Sequence, residues 1–161
     1  MPLFSKLIFW AVRWASRRGL REEETFSGEA KKLEAQSTGV RGETYAYWYL
    51  RNAGYIFVAR NYTPRGMKGE LDLVGYDGKT LAFVEVRTRT VKNDAAALPE
   101  LSVTNEKQHL VVRTARRFLA ERHVGESPIR FDVVAIDNHP GKPPMVRLHK
   151  DAFSPQLERL K

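Results

Sequence analysis

Three residues stand at spacings that could hold a hard cation or offset the charge of its ligands. They are Asp72 in Gly69-Glu70-Leu71-Asp72-Leu73-Val74, and Glu85 and Arg87 in Phe83-Val84-Glu85-Val86-Arg87. Between them lies Asp77-Gly78, a dipeptide favoured in two-residue hairpin loops. With that dipeptide as the loop, Tyr76 pairs with Lys79, Glu70 falls opposite Glu85 and Asp72 opposite Phe83, so Asp72 and Glu85 are diagonal neighbours. Alternation along the strands sends Leu71, Leu73, Ala82, Val84 and Val86 to one face and Glu70, Asp72, Phe83, Glu85 and Arg87 to the other. Like charges placed this way repel. A divalent cation with oxygen ligands offsets that repulsion directly, and Arg87 contributes as well. The rival reading is a solvated sheet face on which the carboxylates pair with Arg87 and Arg89. Helices expected over the sheet weigh against it, because covered carboxylates without partners are costly.

Those strands need elements around them. Val40, Tyr45, Ala46, Tyr49 and Leu50 recur at helical spacing and predict a helix from Arg41 to Asn52, stopped by Gly54. The runs Tyr55 to Asn61, Glu70 to Tyr76 and Thr80 to Thr88 predict an antiparallel meander. Leu110, Val111, Thr114, Ala115, Phe118 and Leu119 predict a second helix over Thr104 to Arg122, capped by Ser102 or Thr104. Strands Ile129 to Asp137 and Met145 to His149 follow. A helix between the third and fourth strands of one sheet implies a right-handed parallel crossover. The expected fold class is therefore α/β, with an αβββαβ core whose mixed sheet is flanked by helices.

The 161 residues fit one domain, expected over 39–161, preceded over 1–38 by an amphipathic helix and a polar linker. In that leader Leu3, Phe4, Leu7, Ile8, Ala11 and Trp14 share a helical face. The stretch 3–14 is too short and too interrupted by Arg13 for a membrane span and lacks a signal-peptide cleavage site. It is read as a docking helix for a membrane surface or a protein. Residues 21–38, with Glu22-Glu23-Glu24, read as a linker, helical in part. Without cysteine, disulfides, thiolate metal sites and cysteine nucleophiles are excluded; a cytoplasmic location is the expectation. The net charge of +8 favours a polyanionic partner, since each Lys or Arg on a phosphate releases counterions.

Gly42-Glu43, Asn61, Gly69 to Val74, Phe83 to Arg89, Lys107-Gln108-His109, Arg130 to Val134 and Lys150 to Phe153 occur together in order. In these blocks the chain, from about Gly39 to Phe153, resembles the bacterial YraN family, also called UPF0102. The resemblance implies a restriction-endonuclease-like fold, similar to that of archaeal Holliday-junction resolvases, and a Mg²⁺- or Mn²⁺-dependent endonuclease acting on DNA, structured or branched. On that pattern Asp72 and Glu85 would be metal ligands, joined by the Val86 carbonyl, with Glu43 a further carboxylate. Arg87 stands where the superfamily has lysine. A guanidinium stays protonated, so Arg87 would stabilise phosphorane charge and not act as a base. That departure leaves an alternative open, a catalytically silent nucleic-acid-binding or adaptor domain of the same fold.

Other residues carry weaker expectations. Lys107, Arg89 and Lys68 are candidate phosphate contacts. Glu70 could reach a second metal or pair with Arg65 or Lys68. Glu43, at the expected start of the first helix, could equally stabilise its macrodipole. Asp132 is expected to make a local hydrogen bond or pair with Arg130. The four histidines show no metal-ligand spacing. Tyr45, with Trp48 or Tyr49, reads as core in preference to base stacking. Junction cleavage would favour a two-fold homodimer.

Overall fold

A computed structural model describes residues 10–11, 28–91, 103–139 and 141–154. Helix α1 spans Gly28–Asn52, β1 Ile56–Tyr62, β2 Leu71–Asp77, β3 Thr80–Thr90, α2 Asn105–Glu121, β4 Ile129–Asn138 and β5 Met145–His149. The five strands form one mixed sheet in the order β1-β2-β3-β4-β5. The first three are an antiparallel meander. The Leu81 N–H donates to the Pro128 carbonyl and the Val91 N–H to that of Asn138, so β3 and β4 run in the same direction, as the crossover through α2 requires. Among the described residues, no helix is long and apolar enough to cross a membrane.

Contacts divide the chain into two compact units, and β3, β4 and β5 contribute to both. In described residues, the first comprises 10–11, 28–53, 86–91, 134–139 and 141–147; the second comprises 54–85, 103–133 and 148–154.

In the second unit α2 covers one face of the meander. Its buried stripe of Val111, Val112, Ala115 and Phe118 meets Val74, Leu81 and Phe83, the alternation expected of a helix-covered sheet. Phe83 stacks on Phe131 at 5.4 Å between ring centroids, and Phe131 on Phe153 at 5.1 Å. Such ring pairs contribute about 0.5–1.5 kcal/mol each beyond their burial. Gly69, at φ +132, approaches α2 so closely that a Cβ there would lie 2.3 Å from Thr114 Oγ1. β1, by contrast, lies at the sheet edge with Ile56 and Val58 exposed, and a bulge between Phe57 and Ala59 breaks its register with β2. A bulge at an edge discourages further strand addition.

In the first unit, Tyr45, Ala46 and Leu50 of α1 are buried, as the expected core face requires, whereas Val40 of that face is exposed and Tyr49, like Tyr47 and Trp48, is half-buried. Gly42 lies directly on Thr88, since a Cβ would fall 1.8 Å from Thr88 Oγ1.

Three expectations are corrected. The helix expected from Arg41 begins at Gly28, so the helical part allowed within 21–38 runs over 28–38 and is continuous with it. Glu43 therefore lies well inside α1, where the macrodipole role assigned to a helix start is lost, because that effect is confined to the first turn. The hairpin loop is Gly78-Lys79 and not Asp77-Gly78: Asp77 pairs with Thr80, and Gly78 takes φ +61. The helix expected over 3–14 lies outside the described residues except at Trp10 and Ala11, which are helical, with Trp10 exposed.

Candidate functional site

The corrected loop moves the register of the carboxylates. Strand pairing runs from Asp77 with Thr80 to Leu73 with Val84. Continued by one residue, the same register sets Asp72 opposite Glu85, so the two are direct and not diagonal neighbours. In that position Cβ atoms stand roughly 4.5–5.5 Å apart. Both side chains belong to the face that carries Val74, Leu81 and Phe83, beneath α2. Asp72 is half-buried and Glu85 only 5% exposed.

Helix α2 supplies the counter-charge. Lys107 Nζ lies 3.1 Å from Glu85 Oε1. Thr104 is the N-cap, its Oγ1 accepting from the Lys107 N–H at 3.3 Å, which places Lys107 in the first helical turn. A lysine there opposes the helix macrodipole. That mismatch was the signal in the sequence that Lys107 needs an acidic partner. The expectation of a phosphate contact at Lys107 did not name Glu85 as that partner.

A carboxylate pair offers hard oxygen donors, which suit Mg²⁺ or Mn²⁺; Mg²⁺ in particular is commonly held by one or two carboxylates while it keeps several waters. Two donors of this kind therefore fit such an ion. Among the described residues no group of three or more His, Asp or Glu side chains gathers in a ligating arrangement. His109 and His123 are exposed, and His139 and His149 half-buried. Glu70 lies one residue before β2 and is exposed, as is Lys68. Glu43, Val86, Arg87 and Arg89 belong to the first unit. There Arg89 donates from Nε to Asp137 Oδ1 at 2.6 Å, and Arg147 Nη1 lies 2.7 Å from Asp137 Oδ2. The hydrogen bond from Arg89, then that from Arg147, holds the buried Asp137 carboxyl below the usual carboxylate range.

At the hairpin end of β2 a second polar cluster fixes the strands. Asp132, fully buried, accepts from Arg130 Nε at 2.7 Å, Arg130 Nη2 at 2.9 Å, the Tyr55 hydroxyl at 3.1 Å and the Asp151 N–H at 3.0 Å. Arg130 Nη2 also donates to Asp77 Oδ2 at 2.7 Å, and Lys150 Nζ to the same oxygen at 2.6 Å. Burial, and secondarily the Asp132 charge, pushes the Tyr55 hydroxyl well above its ordinary pKa. The expected Arg130–Asp132 pair is present. The parts played by Tyr55, Asp77 and Lys150 were not legible, because they depend on strands distant in sequence meeting at one corner.

The model of the uncharacterised protein family UPF0102 matches residues 42–136. A UPF0102 protein of Geotalea uraniireducens is 40% identical over 122 residues, covering 76% of this chain and 93% of the relative. Another, from Koribacter versatilis, is 41% identical over 126 residues, covering 78% and 85%. A third, from Nocardia farcinica, is 40% identical over 124 residues, covering 77% and 94%. The matched span includes α1 from Gly42, the carboxylate pair, Lys107 and most of β4.

Proposed function

Since the chain belongs to the uncharacterised family UPF0102, we propose, beyond membership, that it is a metal-dependent nuclease of restriction-endonuclease-like fold acting on structured or branched DNA. The observation that carries this reading is the carboxylate pair: the register that pairs Leu73 with Val84 brings Asp72 opposite Glu85 one residue on, and Glu85 is buried. Two acids at that separation cost stability unless a cation offsets them. The net charge of +8 supports a phosphate-bearing substrate.

In this reading Asp72 and Glu85 would hold Mg²⁺ or Mn²⁺. Such an ion polarises a phosphoryl oxygen and lowers the pKa of water. The chain's own part is to fix both carboxylates on one hydrogen-bonded strand pair and to cover them with α2, which limits access of bulk water. In this reading Lys68, which is exposed, would contact phosphate, and such contacts orient the duplex without reading its sequence.

A second reading is favoured by the Lys107–Glu85 ion pair. An ammonium already balances one carboxylate, as it would in a domain that keeps the fold, binds DNA and cleaves nothing. One panel separates the two. Full-length protein is incubated with linear duplex, flap, four-way junction and single-stranded DNA in Mg²⁺ or Mn²⁺, alongside Asp72→Ala and Glu85→Gln. The nuclease reading expects metal-dependent cleavage that both substitutions abolish, while DNA binding persists with a steep negative dependence on log salt. Binding without cleavage on any substrate establishes the second reading. Equal cleavage by wild type and both variants refutes the assigned site.

A further inference from the structure

Lys107 combines features that a merely solvated lysine does not share. It occupies a helical turn whose dipole disfavours its charge. Its ammonium reaches the buried Glu85 at 3.1 Å, yet its own side chain is 29% exposed against 6% for that of Glu85. The carboxylate is the buried member of the pair. The lysine is the more exposed one, a compact charge on a flexible four-carbon stem that can swing toward solvent. A divalent ion held by Asp72 and Glu85 would sit within a few ångströms of that ammonium and repel it.

We infer that Lys107 is a resident counter-ion that trades places with the metal. Without a divalent ion, Lys107 neutralises Glu85 and keeps the opposed carboxylates tolerable. When an ion binds, Lys107 yields the Glu85 oxygen and its ammonium turns outward, where it is available to a phosphate. This inference rests on the proposed carboxylate metal site. It goes beyond that site by making metal and lysine mutually exclusive partners of one oxygen.

The test uses the full chain and Mn²⁺ alone, titrated calorimetrically into wild type, Glu85→Gln and Lys107→Met. Binding should vanish in Glu85→Gln and tighten about tenfold in Lys107→Met, because a competing positive charge is gone. Should Lys107→Met fail to fold, Lys107→Gln keeps a hydrogen-bond donor for Glu85 without the charge, and the same tightening is expected. Wild-type protein provides a readout without substitution: the Nζ resonance of Lys107 in nitrogen-15 NMR should shift from an ion-paired to a solvent-exposed signature on saturation with Mg²⁺. Unchanged or weaker Mn²⁺ affinity in the Lys107 variants, with binding still lost in Glu85→Gln, overturns the exchange and leaves the carboxylate site standing. Absence of any Mn²⁺ binding by wild type overturns the site and the exchange together.

Discussion

Replacing Asp132 with Asn tests whether the buried corner beneath Tyr55 is held by charge. Asp132 Oδ1 accepts from Arg130 Nε and the Asp151 N–H, and Oδ2 from the Tyr55 hydroxyl and Arg130 Nη2. Asparagine keeps one acceptor. The Tyr55 hydroxyl can turn to accept from the new NH₂ group, whereas Arg130 Nη2 cannot and meets a donor instead. Breaking a buried ion pair from one side costs about 3–5 kcal/mol. Arg130 retains Asp77 at 2.7 Å and some solvent contact, so about 2–4 kcal/mol is expected. At roughly 2–4 °C per kcal/mol for a chain of this size, Tm should fall by about 5–15 °C. Tyr55→Phe removes a neutral donor to the same carboxylate and the hydroxyl that accepts from Arg130 Nη2 at 3.0 Å, and should cost about 1–2 kcal/mol. Urea unfolding followed by circular dichroism, with calorimetry for Tm, gives both numbers. A loss below about 1 kcal/mol for Asp132→Asn, or equal losses for the two variants, would refute the charge-based account.

Two further outcomes follow from contacts in the first unit. Gly42→Ala drives a methyl into Thr88 Oγ1 and should destabilise by about 2–3 kcal/mol, as overpacking does; Thr88→Ala should recover part of that loss, and strictly additive effects in the double mutant would show that the contact is not the cause. Asp137 is held below its unfolded pKa of about 3.9 by Arg89 and then Arg147, so the stability it contributes is complete above about pH 4 and is lost as pH falls through its folded value. Asp137→Asn should therefore flatten the acid limb of the Tm–pH curve below about pH 4, and limbs of equal slope in the two proteins would count against it.

What is local and periodic can be read along the chain alone. Alternation in 71–74 and 82–86 was enough to separate the all-apolar face from the acidic one. The register error preserved that separation, because moving the loop by one residue shifts the pairing by two and leaves every side chain on its own face. The helical stripe of α2, the Thr104 cap and the stop at Gly54 were legible for the same reason, as each depends on neighbours within a few residues. The carboxylate candidates Asp72 and Glu85 were legible as a pair on one face.

What depends on residues far apart in the chain is set only once the strands and helices have packed. The start of α1 at Gly28 escaped the sequence because 28–38 has no sustained apolar face from which to read a period. Placing the loop at Gly78-Lys79 required the actual turn, in which Gly78 takes positive φ. Lys107 and Glu85 are 22 positions apart, and only the parallel crossover brings the first turn of α2 to β3. Tyr55, Asp77, Arg130, Asp132 and Lys150 share hydrogen bonds only because three strands and the segment after β5 end at one corner. A periodic pattern records which face a residue takes. Which residue meets it there is fixed by chain crossings that no local spacing encodes.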